Sequence, residues 1–145
     1  MVSKGIPAVM DHLRTFSKAV LEHTLNLSEY GLHSVPLETK YLTEIRDLNL
    51  DGNYIKDFPQ VVCQQCPNLT RLSLRGNRFR EIPPYFGKLV SLTALNLDDN
   101  LLLRRLPRTL IELPALLELT LGNCSLISPP QDIASRSLRY LQYIN

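Results

Sequence analysis

The 145-residue sequence predicts a right-handed α/β solenoid, in which short parallel strands line a concave face and irregular or 3₁₀ segments line the convex side. Two observations predict this fold class. Leucine accounts for 29 of the 145 residues, and five similar strings recur along the chain. These strings begin 23, 24, 23 and 24 residues apart, at Leu25, Leu48, Leu72, Leu95 and Leu119. A fixed period of this length is typical of a repeat array, in which each unit packs against its neighbours.

Each string starts with two leucines separated by one residue, which predicts a short strand. The alternation sends Leu48 and Leu50 into the core and Asn49 to the surface. In three units an asparagine follows the strand, and we expect its buried amide to bond to the backbone of adjacent turns: Asn53, Asn77 and Asn100. In four units a later proline is expected to keep the return segment extended rather than helical: Pro36, Pro59, Pro83 and Pro107.

Four units follow the pattern LxxLxLxxNxL, with Cys124 in place of the asparagine in the last of them. Through this motif, residues 22–130 resemble five units of the leucine-rich repeat family, in its intracellular-type class of 23 to 24 residues. The resemblance implies a curved parallel sheet, closed by helical caps, that binds other proteins without catalysing a reaction.

The two ends of the chain are expected to cap this array. Residues 1–21 predict an amphipathic helix with one apolar stripe: Val9, Leu13, Phe16 and Val20. For residues 131–145 we favour a capping helix, and the alternative is a sixth strand that contains Leu138, Leu141 and Tyr143. Both ends resemble the segment that closes many intracellular leucine-rich repeat blocks. The chain is therefore expected to be one domain and one module of a longer protein.

Composition argues against several classes of function. The net charge of +2 is too small to favour a nucleic-acid partner, and no apolar run approaches the length of a membrane span. The sequence shows no secretory signal, and its three cysteines cannot form a closed disulfide framework. We therefore expect a monomeric cytoplasmic protein.

Candidate catalytic and metal-binding residues are few. Cys63 and Cys66 form a CxxC pair, but a zinc site needs further ligands, and the sequence has none at suitable spacing. Cys66 is expected to fill a core position that leucine takes in other units. The histidines lie far in sequence from any candidate nucleophile. We expect no cofactor, no metal and no enzymatic activity.

The outward residues of the strands form columns on the concave face, and we predict that these columns bind another protein or peptide. The candidate residues are Asp47, Asn49, Asp51, Arg71, Ser73, Arg75, Asn96 and Asp98. Arg71 and Arg75 lie centrally, and arginine is favoured in interface hot spots. The alternative is a ladder of exposed ion pairs with no partner.

A second candidate surface is a basic rim, where the chain leaves the strands for the convex side. Its residues are Arg78, Arg80, Arg104, Arg105 and Arg108. The rim either is simply solvated or binds an acidic peptide.

The sequence therefore predicts a scaffold or adaptor module. The alternatives are an extracellular recognition module and a structural or regulatory block of a larger GTPase-type or kinase-type protein.

Overall fold

The computed structural model describes residues 22–35, 43–127 and 140–142, the last three by their backbone alone. The predicted N-terminal capping helix, residues 1–21, lies outside the described residues. None of the described helices is long and apolar enough to cross a membrane.

In the described part of the chain, six strands of three residues each form one parallel sheet, and their spatial order is their order in the chain. They are β1 Thr24–Asn26, β2 Asp47–Asn49, β3 Arg71–Ser73, β4 Ala94–Asn96, β5 Glu118–Thr120 and β6 Tyr140–Gln142. The central leucines of the first five strands are register partners in one continuous row: Leu25, Leu48, Leu72, Leu95 and Leu119. The parallel sheet predicted from the leucine period is confirmed.

The capping helix predicted for residues 131–145 is wrong at Tyr140–Gln142, which form β6 instead. Leu141 pairs in register with Leu119, so it continues the row of leucines. A strand here gives β5 a hydrogen-bonding neighbour, which a helix would not provide. The other residues of the predicted helix lie outside the part of the chain that the structure describes.

The convex side differs from the expected irregular and 3₁₀ structure. Pro84–Lys88 form a 3₁₀ helix, but two other return segments of the described chain contain short α-helices, α1 Gln60–Gln65 and α2 Arg108–Ile111. Pro59 and Pro107 are the residues that directly precede α1 and α2. The ring of proline fixes φ at a value that suits the start of a helix. Proline has no backbone N–H, but an N–H at this position would have no acceptor within the helix. These two prolines therefore initiate the helices.

The core lies between the sheet and the convex segments. Three phenylalanines of the second and third repeats, Phe58, Phe79 and Phe86, are completely buried. The Phe58 and Phe86 rings meet edge to face with their centroids 5.1 Å apart. This packing joins the two repeats behind the sheet, and the concave face is therefore presented on a close-packed support.

Candidate functional site

The concave face carries a shallow cavity of about 370 Å³ across the middle of the sheet. Five of the eight residues predicted to bind a partner line it: Asp47, Asn49, Arg71, Ser73 and Asn96. Thr24, Ala94 and Glu118 complete its polar and small lining residues. The other three predicted residues, Asp51, Arg75 and Asp98, do not line this cavity, and each of them bonds within the protein.

Arg71 is the most prominent charged group of the cavity. Its side chain is 70% exposed, and its Nε lies 4.0 Å from Oδ1 of Asp47, at the outer limit of an ion pair. On the other side its register partner is Ala94, whose short side chain leaves the neighbouring position open. The guanidinium is therefore accessible to a group that enters the cavity from solvent.

Two asparagines bring further donors to the same cavity. The Oδ1 of Asn49 accepts the N–H of Asp51 at 2.9 Å, and the Oδ1 of Asn96 accepts the N–H of Asp98 at 2.9 Å. These bonds orient both amides. Within the described ranges, the Nδ2 groups of Asn49 and Asn96 have no hydrogen-bond acceptor.

Asp51 and Asp98 bind the repeat that follows each of them. Oδ1 of Asp51 accepts the hydroxyl of Ser73 at 2.6 Å and the N–H of Arg75 at 2.9 Å. Oδ1 of Asp98 accepts the N–H of Gly122 at 2.6 Å. These carboxylates join successive repeats.

Arg75 pairs with a residue that the sequence columns did not identify. Its Nε donates to Oδ2 of Asp99 at 2.7 Å, and Oδ1 of Asp99 accepts Nδ2 of Asn123 at 2.7 Å. The hydrogen bond from Asn123 and the one from Arg75 lower the pKa of Asp99. Arg75 therefore belongs to the edge of the concave face, where it links three repeats.

The three buried asparagines bridge adjacent repeats through both ends of their amides. Nδ2 of Asn77 donates to the carbonyls of Leu50 and Leu74 at 2.9 and 3.0 Å, and its Oδ1 accepts the N–H of Ile55 at 3.1 Å. Asn53 and Asn100 make the equivalent bonds. Their side chains bind backbone groups that the sheet does not pair, and this is a structural role.

The rim carries a second cavity, of about 520 Å³, which the sequence did not reveal. We call it the rim groove and define it by the side chains of Tyr54, Lys56, Arg78, Arg80, Leu101 and Leu102. The one sequence feature that could have indicated this groove is the additional residue between Leu101 and Leu103 of the fourth repeat. The predicted basic rim is divided, because Arg78 and Arg80 line this groove whereas Arg108 lies in α2 and pairs with Glu112 at 3.3 Å.

The cysteine pair lies in the core. Cys63 is as buried as Cys66, so the second cysteine is not distinguished as the core residue. Burial raises the pKa of Cys63 to about 12 and that of Cys66 to about 11. Both are thiols at neutral pH, which disfavours nucleophilic or metal-ligand chemistry. Across residues 22–35 and 43–127, no cluster of His, Cys, Asp and Glu could hold a metal ion.

Comparison with known proteins identifies the same repeat. The leucine rich repeat model matches residues 23–79 and 67–126. An adenylate cyclase of Podospora anserina is 30% identical over 125 residues, which are 86% of this chain and 6% of the cyclase. The disease resistance protein RPS4B of Arabidopsis thaliana is 32% identical over 131 residues, 89% of this chain and 11% of that protein. Tsukushi of Gallus gallus is 37% identical over 120 residues, 81% of this chain and 31% of Tsukushi. The chain spans less than a third of each of these relatives.

Two solved structures share the fold. A leucine-rich repeat protein of Leptospira interrogans superposes with a TM-score of 0.66 at 28% identity, over 89% of this chain and 39% of that one. The leucine-rich repeat domain of APL1B gives a TM-score of 0.70 at 25% identity, also over 89% of this chain and 39% of that domain's chain.

Proposed function

Because the chain belongs to the leucine-rich repeat family, we propose that it is a non-catalytic module that binds a partner protein in its concave cavity, with Arg71 as the central contact. The observation that carries the proposal is the state of Arg71, which is 70% exposed and holds only a 4.0 Å contact with Asp47. An arginine at the centre of a rigid face is a typical interface hot spot.

The chemistry of the cavity indicates what the partner presents. The Arg71 guanidinium and the Nδ2 groups of Asn49 and Asn96 are hydrogen-bond donors at the middle of the cavity. The carboxylates Asp47 and Glu118 lie on either side of Arg71 and Ala94. The short side chain of Ala94 leaves room beside Arg71. A carboxylate of the partner fits this position, because two parallel N–H groups of arginine match two carboxylate oxygens. The partner's backbone carbonyls suit the two amides.

The test begins with a pull-down from cell lysate by the wild-type chain, followed by affinity measurement with each purified partner. Arg71→Glu should weaken binding by more than about tenfold, since it replaces attraction by repulsion. Arg104→Glu is the matched control, because it changes charge equally at an exposed position outside the cavity. A partner that binds wild type and Arg71→Glu equally contradicts the proposal.

A second candidate is a regulatory block within a larger enzyme. It is favoured by the similarity to an adenylate cyclase, of which the matched segment is only 6%. Such a block would bind another part of its own protein, so the Arg71→Glu variant of the full-length protein would change its activity.

We also propose a cytoplasmic monomer. The odd number of cysteines supports the reducing compartment. Size-exclusion chromatography with light scattering tests the monomer.

A further inference from the structure

We propose that the rim groove binds an acidic peptide segment of a partner protein, and that a large apolar side chain of this segment packs on the leucines Leu101 and Leu102, beside the stacked pair of Arg78 and Tyr54. This site is separate from the concave cavity, and the two share no lining residue. The proposal goes beyond the concave-face function and does not depend on it.

The apolar part of the groove comes from the second and fourth repeats, and Arg78 of the third repeat lies between them. Tyr54 and Leu101 each follow a buried asparagine of the repeat, and the extra residue of the fourth unit places Leu102 beside Leu101 before the chain turns inward at the buried Leu103. The side chains of Tyr54, Leu101 and Leu102 are 40%, 64% and 46% exposed. Leu101 and Leu102 form an apolar patch that binding would desolvate favourably, next to the Tyr54 ring that Arg78 covers on one face.

The polar part of the groove is positively charged. Lys56, Arg78 and Arg80 line it, and all three are exposed. In the described part of the chain, no carboxylate lies within ion-pair distance of any of them. The Arg78 guanidinium carbon is 4.5 Å from the centre of the Tyr54 ring, so this cation is held against the apolar part of the groove.

The carboxylate in the lining does not neutralise these cations. Asp99 lines the groove, but its two oxygens accept hydrogen bonds from Arg75 and Asn123, each at 2.7 Å. Among the residues that the structure describes, the groove therefore presents three cations without carboxylate partners beside an apolar patch. The complementary ligand carries carboxylates on both sides of an apolar residue.

The two leucines favour a peptide over a nucleic acid. Single-stranded nucleic acids bind through stacking of bases on aromatic or guanidinium planes. In this groove the Arg78 guanidinium lies over the Tyr54 ring at 4.5 Å, so these two planes already face each other, and Leu101 and Leu102 offer no such plane. They offer instead the surface against which a partner's leucine or phenylalanine packs.

The experiment uses the full chain and a fluorescein-labelled probe peptide with two central leucines between runs of glutamate and aspartate. Binding is measured by fluorescence anisotropy. A second peptide with serines in place of the leucines tests the apolar contact, and an unlabelled single-stranded oligonucleotide tests competition. Circular dichroism melting verifies that each variant is folded.

Two double variants should each weaken probe binding by at least about tenfold: Leu101→Ser with Leu102→Ser, and Arg78→Glu with Arg80→Glu. The matched control is Arg104→Glu with Arg105→Glu, which changes charge equally on exposed residues outside the groove lining. This control should lower probe affinity by less than about threefold, because it changes only the long-range electrostatic attraction between the chain and the acidic probe. The serine peptide should bind at least about tenfold more weakly than the leucine peptide.

Three results would overturn the proposal. The first is an equal loss of probe affinity in the Arg78/Arg80 and Arg104/Arg105 variants, which would indicate non-specific electrostatic attraction. The second is failure of either ligand comparison. The leucine and serine peptides would then bind equally, or the oligonucleotide would displace the labelled probe at a lower concentration than the unlabelled peptide does. The third is loss of probe binding in Arg71→Glu, which would place the probe in the concave cavity. If Arg71→Glu retains the affinity for the probe but loses the affinity for a protein that binds the concave cavity, the two sites are distinguished.

Discussion

The carboxylate of Asp51 is bonded to Ser73 of the next repeat, with 2.6 Å between Oδ1 and the serine hydroxyl. The same oxygen accepts the N–H of Arg75, two residues later. In repeats with an outward asparagine in the strand, such as Asn49, that asparagine accepts the equivalent N–H itself. Where serine or threonine replaces the asparagine, the aspartate of the preceding repeat takes over this role. Two polar residue types thus complement each other along the solenoid.

Replacing Asp51 by alanine should destabilise the fold. The substitution removes the acceptor of two hydrogen bonds, one of them to a backbone N–H, and should lower the free energy of unfolding by about 1 to 3 kcal/mol. Urea denaturation of wild type, Asp51→Ala and the control Asp47→Ala measures this loss. Asp47 makes only a long contact with the exposed Arg71, so its replacement should cost less than about 1 kcal/mol. Equal losses in the two variants would contradict the bridging role of Asp51.

Asn77→Ala should also be destabilising, because it leaves buried backbone groups of two repeats without partners. We expect a loss of about 1 to 3 kcal/mol in the free energy of unfolding, with unchanged binding at the concave face. The matched control is Asn68→Ala, where an exposed amide donates one bond to the Thr43 carbonyl. A thermal midpoint for Asn77→Ala equal to that of Asn68→Ala would argue against the role assigned to the buried amide.

The leucine period was sufficient to predict the strands and their register, because each buried leucine fixes its strand in the row. It did not decide between helix and strand near Leu141, where the apolar spacing fits both. The arrangement of outward strand residues in columns also did not predict the contact between Arg75 and Asp99. Asp99 has a positive φ of 59°, and a column of alternating residues does not describe the side chain of such a turn residue.

The rim groove could not be predicted in the same way. The residues that follow the buried asparagines differ in type from repeat to repeat, and an added residue such as that near Leu102 has no equivalent in other repeats. Pro59 and Pro107 were misjudged for a different reason. Proline disrupts a helix when it lies in the interior but is favourable at the first position. The residues after the proline determine which of the two applies.

Cys124→Asn should stabilise the last complete repeat. Cys124 occupies the position of the buried asparagines, and its Sγ lies 3.2 Å from the Leu97 carbonyl oxygen. A thiol is a weak donor, whereas an amide would donate two hydrogens to the backbone carbonyls, as that of Asn100 does. We expect a gain of about 0.5 to 1.5 kcal/mol in the free energy of unfolding by urea denaturation. Cys124→Ala, which removes the donor, should be less stable than Cys124→Asn. If alanine and asparagine give the same stability, the amide bonds do not form at this position.

The cluster of Asp99 with Asn123 and Arg75 predicts a dependence of stability on pH. These two donors lower the pKa of Asp99 in the folded protein, so the unfolded chain binds its proton at higher pH than the folded chain does. The stabilisation is therefore fully present above the unfolded value of about 3.9 and is lost as the pH falls through the lower folded value. Asp99→Asn is the suitable variant, because asparagine tolerates a positive φ and keeps the shape of the side chain.

Thermal melting of wild type and Asp99→Asn between neutral pH and about pH 2.5 measures this effect. Wild type should have the higher midpoint near neutral pH, by a small amount since both Arg75 and Asp99 contact solvent. The difference should shrink below about pH 4 and vanish when Asp99 is protonated in both states. Arg75→Gln removes one of the two donors, so the folded pKa of Asp99 is lowered less, and in that background the difference should be smaller and should vanish at a higher pH. A difference between wild type and Asp99→Asn that persists or grows as the pH falls would show that the charge of Asp99 does not stabilise the fold.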